Sequence, residues 1–176
     1  MTVSLVLTVI GDDKPGLVDS LSGIIAEHGG NWLESRMAQL AGKFAGILCV
    51  DVAQTRADAL MAALQTLEAK GLKVTVEKGA AGDSVVLFRT LNLELVGQDH
   101  PGIVHDISHA LASRSISVEE LSTETSSASM AGGTLFHANA RLSVPETVRT
   151  EELRDLLESL ANELMVDITL DDQATA

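Results

Sequence analysis

The groups best suited to hold a small charged molecule lie in two matching stretches. Gly11-Asp12-Asp13-Lys14-Pro15-Gly16-Leu17-Val18 returns as Gly97-Gln98-Asp99-His100-Pro101-Gly102-Ile103-Val104, sharing Gly-x-Asp-x-Pro-Gly-[Leu/Ile]-Val. Each copy stands where an alternating apolar run gives way to a helical one. Asp13 and Asp99 are expected as helix N-caps, since a carboxylate accepts the orphan amides of a first turn. Pro15 and Pro101 are expected at or near the first helical position, where a missing N–H costs nothing. Gly16 and Gly102 leave the helix start without side-chain bulk. Free amides at such a start attract carboxylates and phosphates. Asp12, or the outward oxygen of Asp13 or Asp99, offers a seat for an ammonium. Asn31 and Ser117, at the starts of the following strands, add donors and acceptors beside the turn. Together these groups suit a zwitterion. A capped strand-to-helix turn with no ligand accounts for Asp and Pro equally well.

Other chemistry is thinly represented. The chain has no G-x-G-x-x-G, P-loop, G-x-S-x-G or H-E-x-x-H pattern, so neither a nucleotide cofactor nor an enzyme active site is expected. Cys49, the single cysteine, sits mid-strand in an apolar run and reads as a packed thiol. His105 and His109 are spaced i,i+4, with His100 just before them, a spacing that suits a metal. No carboxylate or cysteine completes the set, so a solvated helix face is expected and no metal. Lys and Arg number 12 against 25 Asp and Glu, a net charge of −13. That balance argues against direct nucleic-acid binding, which needs a cationic footprint. With 3 Phe, 1 Trp and no Tyr, stacking surface for bases is nearly absent. No apolar run reaches the roughly 18 residues of a membrane span, and residues 1–10 lack a signal-peptide pattern. A lone cysteine excludes an internal disulfide, and a cytoplasmic location is expected.

The elements that must position these groups follow from periodicity. Residues 2–9 alternate, with Val3, Leu5, Leu7 and Val9 on one face. Leu17, Val18, Leu21, Ile24 and Ile25 then fall at helical spacing, and Gly29-Gly30 ends that helix. Strands are expected from Trp32 to Leu40 and through Phe44–Val52. Thr55 is expected to cap a second helix carrying Leu60, Ala63, Leu64 and Leu67, closed by Gly71, before a short strand at 74–76. The second half repeats the order. Leu91, Leu93 and Leu95 alternate; Ile103, Val104, Ile107 and Leu111 form a helical stripe; strands fall at 118–125 and 135–142. A helix starts at Thr150 and a strand closes at 167–170. The chain is therefore read as α+β, two tandem ferredoxin-like βαββαβ units with antiparallel sheets and helices on one face. The expected boundaries are a first domain at 1–78, a linker at 79–84, a second domain at 85–171 and a frayed tail at 172–176. The Ser/Thr/Ala/Gly-rich hairpin 126–133 is expected as a flexible tip rather than a binding loop.

The D-x-P-G-[LI]-V turn, its helix, and the Gly/Asn or Ser start of the next strand resemble the ACT domain, a small regulatory module, over nearly the whole chain. As a tandem pair it resembles the glycine cleavage system transcriptional repressor family. The resemblance implies amino-acid ligands near the first strand–helix loop, side-by-side domain pairing, and regulation through a partner such as a transcription activator. By position it marks Gly11, Asp12, Asp13, Pro15, Gly16 and Asn31 in the first half, and Gly97, Asp99, Pro101, Gly102 and Ser117 in the second. Ser117 stands where Asn is typical, and Gln98 stands opposite Asp12. The function expected is a non-enzymatic amino-acid sensor, glycine being one candidate ligand, acting through a protein partner. The alternative is a constitutive adaptor or regulatory subunit of a metabolic enzyme, with vestigial ligand loops. Exposed sheet edges favour a homodimer.

Overall fold

A computed structural model describes residues 1–79, 87–128 and 132–172. The chain divides into two compact units, Met1–Asp83 and Ser84–Ala176. Most of the expected linker and of the tail, and the centre of the 126–133 hairpin tip, lie outside the described residues.

In the first unit β1 (Thr2–Asp12) leads to α1 (Leu17–Glu27), then β2 (Asn31–Leu40), β3 (Lys43–Ala53), α2 (Gln54–Gln65), a short 3-10 turn (Thr66–Lys70) and β4 (Leu72–Lys78). The sheet order is β2-β3-β1-β4, with every neighbouring pair antiparallel. Two-residue periodicity puts Leu5, Leu7 and Val9 of β1 and Leu48, Val50 and Val52 of β3 on one buried face. Leu17, Leu21 and Ile25 of α1 and Leu60 and Leu64 of α2 close over it. The second unit repeats this plan. It comprises β5 (Phe88–Gln98), α3 (Ile103–Ala112), β6 (Ser117–Ser127), β7 (Thr134–Pro145), α4 (Thr150–Leu164) and β8 (Val166–Asp172), ordered β6-β7-β5-β8. Its core gathers Leu91, Leu93, Leu95, Ile103, Ile107, Leu111, Leu142, Leu153 and Leu157. These are the two ferredoxin-like βαββαβ units that the strand order implies.

Local readings change in three places. Thr55 does not cap α2: the helix already begins at Gln54, and its N-cap is Ala53 with no side-chain hydrogen bond. Leu67 is fully buried but belongs to the 3-10 turn, which Gly71 ends with φ 87°. Val18 and Val104 leave the buried stripe and are 45% and 43% exposed. At 3.6 residues per turn the i,i+4 row Leu17–Leu21–Ile25 faces the sheet squarely, and its immediate neighbour lies about 100° round the axis.

Candidate functional site

The two repeated turns are built alike. Gly16 has φ 90° and ψ 4°, and Gly102 has φ 101° and ψ −13°. These are the angles of the third residue of a type II turn, which takes Pro in the second position and Gly in the third. Pro15 and Pro101 therefore precede the helices rather than opening them, and Gly16 and Gly102 occupy the N-cap positions. Asp13 and Asp99 are not caps: Gly16 and Gly102 hold those positions, and neither carboxylate bonds to a first-turn amide. Instead their own backbone amides bond across to the neighbouring hairpin: Asp13 N to Gly42 O at 3.0 Å, Asp99 N to Thr134 O at 2.8 Å. With no side-chain cap, the ladder of α1 opens with Ser20 N to Gly16 O at 2.9 Å, and that of α3 with Asp106 N to Gly102 O at 2.9 Å. The amides of Leu17, Val18 and Asp19, and of Ile103, Val104 and His105, precede those bonds and have no acceptor within the helix.

The leading glycines have a different reason. A Cβ on Gly11 would lie 2.3 Å from Gly71 O, and one on Gly97 would lie 2.4 Å from Val166 Cγ1. Both are needed for close strand approach, opposite Leu72 and Val166 respectively. Neither reports on a ligand.

The electrostatics of the first turn centre on Asp12. It sits directly opposite Lys43 in the β1–β3 ladder, and the two side chains form an ion pair. The Lys43 hydrogen bond, then its charge, with a smaller effect from Lys14, hold the Asp12 carboxyl below its ordinary range. The seat that Asp12 offers an ammonium is taken by Lys43 of the same chain. The residues missed were Lys43 and Lys14, and the signal lay in the hairpin register that sets Lys43 opposite Asp12. The first turn thus combines the uncapped helix start with a charge-balanced cluster, Asp12 and Asp13 against Lys14 and Lys43, in which Asp12 and Lys43 already pair with each other. In the second unit the corresponding pair is Gln98 opposite Leu135, which carries no charge.

Asn31 and Ser117 do not lie beside their turns. Asn31 pairs with Asp51, which pairs with Ser4, eight residues before Asp12 on β1. At about 3.3 Å per residue the separation is ~26 Å. Ser117 pairs with Ser143, which pairs with Thr90, and lies equally far from Gln98. The helix between strands carries the chain back along the sheet, so each of these residues starts its strand near a helix C-terminus. Among the predicted site residues, the structure brings together Gly11–Gly16 at one end of the first unit and Gly97–Gly102 at one end of the second; Asn31 and Ser117 stand at the opposite ends.

Nε2 of His100 lies 3.3 Å from Leu164 O, at the open C-terminus of α4, and Nδ1 lies 3.2 Å from Pro101 O. His105 and His109 stack on α3 with ring centroids 6.0 Å apart. Among the described residues no three His, Cys, Asp or Glu side chains gather where they could hold a metal. No helix among them is long and apolar enough to cross a membrane.

The chain is a duplicated βαββαβ fold in which each unit opens its first helix with an uncapped, glycine-turned N-terminus. The family model of the ACT domain matches residues 4–77. A UPF0237 protein of Methanococcus maripaludis is 31% identical over 77 residues, 42% of this chain and 86% of that protein. The crystal structure of an unknown protein from Galdieria sulphuraria aligns with TM-score 0.87 and 31% identity, over 98% of this chain and 99% of that one. That of a protein assigned as a glycine cleavage system transcriptional repressor aligns with TM-score 0.70 and 20% identity, over 97% of each. The chain belongs to the ACT-domain family, and its second unit repeats the ACT fold. Membership supports a ligand-sensing regulatory role.

Proposed function

We propose that the chain is a non-enzymatic sensor of a free amino acid, and that it regulates transcription through a protein partner in the cytoplasm without touching nucleic acid. The observation that carries this reading is the uncapped start of α1, whose first-turn amides suit an α-carboxylate, with Lys14 within the same turn as a nearby cation. Glycine is the smallest ligand with that group and is the first candidate. Asn31 joins such a site only from a second copy of the chain, because within one unit it lies ~26 Å away along the sheet. A site of that kind makes binding favour the paired state, which a sensor requires.

Titration calorimetry of the full chain against each of the twenty amino acids tests the reading. Saturable heat is expected for at least one, together with a shift in the fluorescence of Trp32, the neighbour of Asn31. Asn31→Ala removes that shift, and the wild-type shift grows with protein concentration. No heat with any amino acid removes the sensor role. A second reading is favoured by the glycines and prolines of the turn, each accounted for by packing or turn geometry alone. It is a constitutive adaptor, or a regulatory subunit of a metabolic enzyme, with vestigial ligand loops. A partner captured equally with and without amino acid supports that alternative.

A further inference from the structure

We infer that the second unit contains an apolar pocket for one small hydrophobic group of a free ligand, at the place where the first unit packs its own Trp32. The pocket is a cleft between α3 and β6 with a cavity volume of about 40 Å³, walled by Leu95, Ile103, Ile107, Phe136, Val118 and Leu121 among others. The side chains on its β6 rim are left uncovered: Val118 is 40% and Leu121 49% exposed.

Register explains why the cleft exists here. Trp32 lies opposite Val50, and Val50 opposite Leu5; Val118 lies opposite Leu142, and Leu142 opposite Leu91. Val118 is therefore the counterpart of Trp32. By the same register Thr123 replaces Met37, and Ala140 replaces Leu48. In the first unit Trp32 and Met37 pack against the core, and Met37 covers the backbone of Gly46 closely enough to exclude a Cβ there. Leu121 in place of Ser35, and Ala138 in place of Gly46, return only part of the lost volume. The helix side is unchanged in kind, with Ile103, Ile107 and Leu111 standing for Leu17, Leu21 and Ile25.

The chemistry of the occupant follows from the walls. The one hydroxyl among the lining residues, that of Ser108, donates to Val104 O at 2.6 Å and is used within the helix. Water would find no partners, and apolar cavities of this sort accept small hydrophobic molecules. The volume suits a branched aliphatic group or the edge of a ring rather than a helix or strand of a partner. β6 is bonded to β7 alone, so its rim can shift to admit a larger ring. The first unit supplies an indole from its own strand; the second must take its apolar group from outside.

The test is methyl NMR of the full chain titrated separately with indole and with leucine. Saturable shifts are expected at the methyls of Val118, Leu121 and Ile107. Shifts with indole alone identify an uncharged hydrophobe. Shifts with leucine that spread to the Gly97–Gly102 amides identify an apolar amino acid. Val118→Trp and Ala140→Leu each install the first unit's residue, from neighbouring strands on the sheet side of the cleft. Each weakens binding at least tenfold, leaves the α4 and β8 signals in place, and raises the unit's unfolding temperature. Three results overturn the proposal: no saturable shift with either probe, undiminished binding in both variants, or cleft shifts that track protein dilution instead of probe. In the last case a second copy fills the cleft.

Discussion

Gly11→Ala tests whether the leading glycine of the repeat serves packing or ligand. In an ordinary strand this exchange stabilises, because glycine is entropically costly by about 0.5–1 kcal/mol. Here the new Cβ would stand 2.3 Å from Gly71 O and 3.3 Å from Leu72 Cα. Contacts under 3.0 Å are essentially never seen, so β4 must retreat by at least 3.0 − 2.3 = 0.7 Å. It is not free to do so, since Leu72 is 1% and the preceding Leu67 0% exposed, both locked in the core. Overpacking of that kind costs about 1–3 kcal/mol. The net loss is then about 1–2 kcal/mol after the entropic gain.

Gly16→Ala loses about the same amount by another route. Nothing lies within 4 Å of its new Cβ, but φ 90° is a left-handed conformation costing an ordinary residue about 1–2 kcal/mol. Asparagine separates the two causes, because it tolerates positive φ. Gly16→Asn recovers most of the stability, whereas Gly11→Asn is worse than Gly11→Ala. Urea unfolding followed by Trp32, the single tryptophan, reports on the first unit directly. A loss of 1–2 kcal/mol lowers the midpoint by about 1 M at the usual slope for small domains. A Gly11→Ala variant as stable as the parent, or an Asn pair ranked the other way, refutes this assignment of the two glycines.

Two further outcomes follow from the same geometry. Lys43→Ala removes the main cause holding the Asp12 carboxyl below its ordinary range, so its midpoint in an NMR pH titration rises toward the ordinary carboxylate range. Because the folded value is depressed, the pair's contribution is present at neutral pH and is lost only as pH falls through the folded midpoint, below that range; removing Lys43 leaves stability near pH 7 little changed and flattens its acid dependence. His100→Ala removes the ring contact with Leu164 O and loosens the Gly97–Gly102 turn, read as faster amide exchange at Asp99 and Gly102.

Much of the fold was legible because its signals were local. Two-residue alternation in Leu5–Leu7–Val9 and Leu91–Leu93–Leu95, and i,i+4 spacing in Leu17–Leu21–Ile25, each bury one face whatever lies opposite. Cap assignments failed because Asp-x-Pro-Gly satisfies two local rules at once. It reads as N-cap followed by Pro at the first helical position, and equally as a type II turn. The left-handed conformation of the glycine decides between them, and no neighbouring residue announces it. The position of Asn31 was misread for a topological reason. Its closeness in sequence to α1 placed it near that helix, but at the far end, because a right-handed crossover returns the chain to the strand's beginning. The Asp12–Lys43 pair was invisible for want of a register.

The duplication changes what the shared motif can mean. Two copies of one turn chemistry argue for a common function only while the surroundings are also duplicated, and they are not. In the first unit Lys43 pairs with Asp12 across the ladder, Lys14 lies in the turn, and Trp32 packs against the core. In the second unit Gln98 faces Leu135, no cation sits across the ladder, and the space beside α3 is open. What the repeats retain in common is what the fold itself requires: a glycine for strand approach, a Pro-Gly turn, and an uncapped helix. What distinguishes them is polar in the first and apolar in the second. A chain that needed one ligand twice would be under no pressure to diverge in that way. The divergence therefore points to a division of labour, with charge recognition in the first unit and shape recognition in the second. Calorimetry on the Lys43→Ala and Val118→Trp variants separates the two. Each is expected to abolish one class of ligand and spare the other, and loss of both classes in either variant defeats the division.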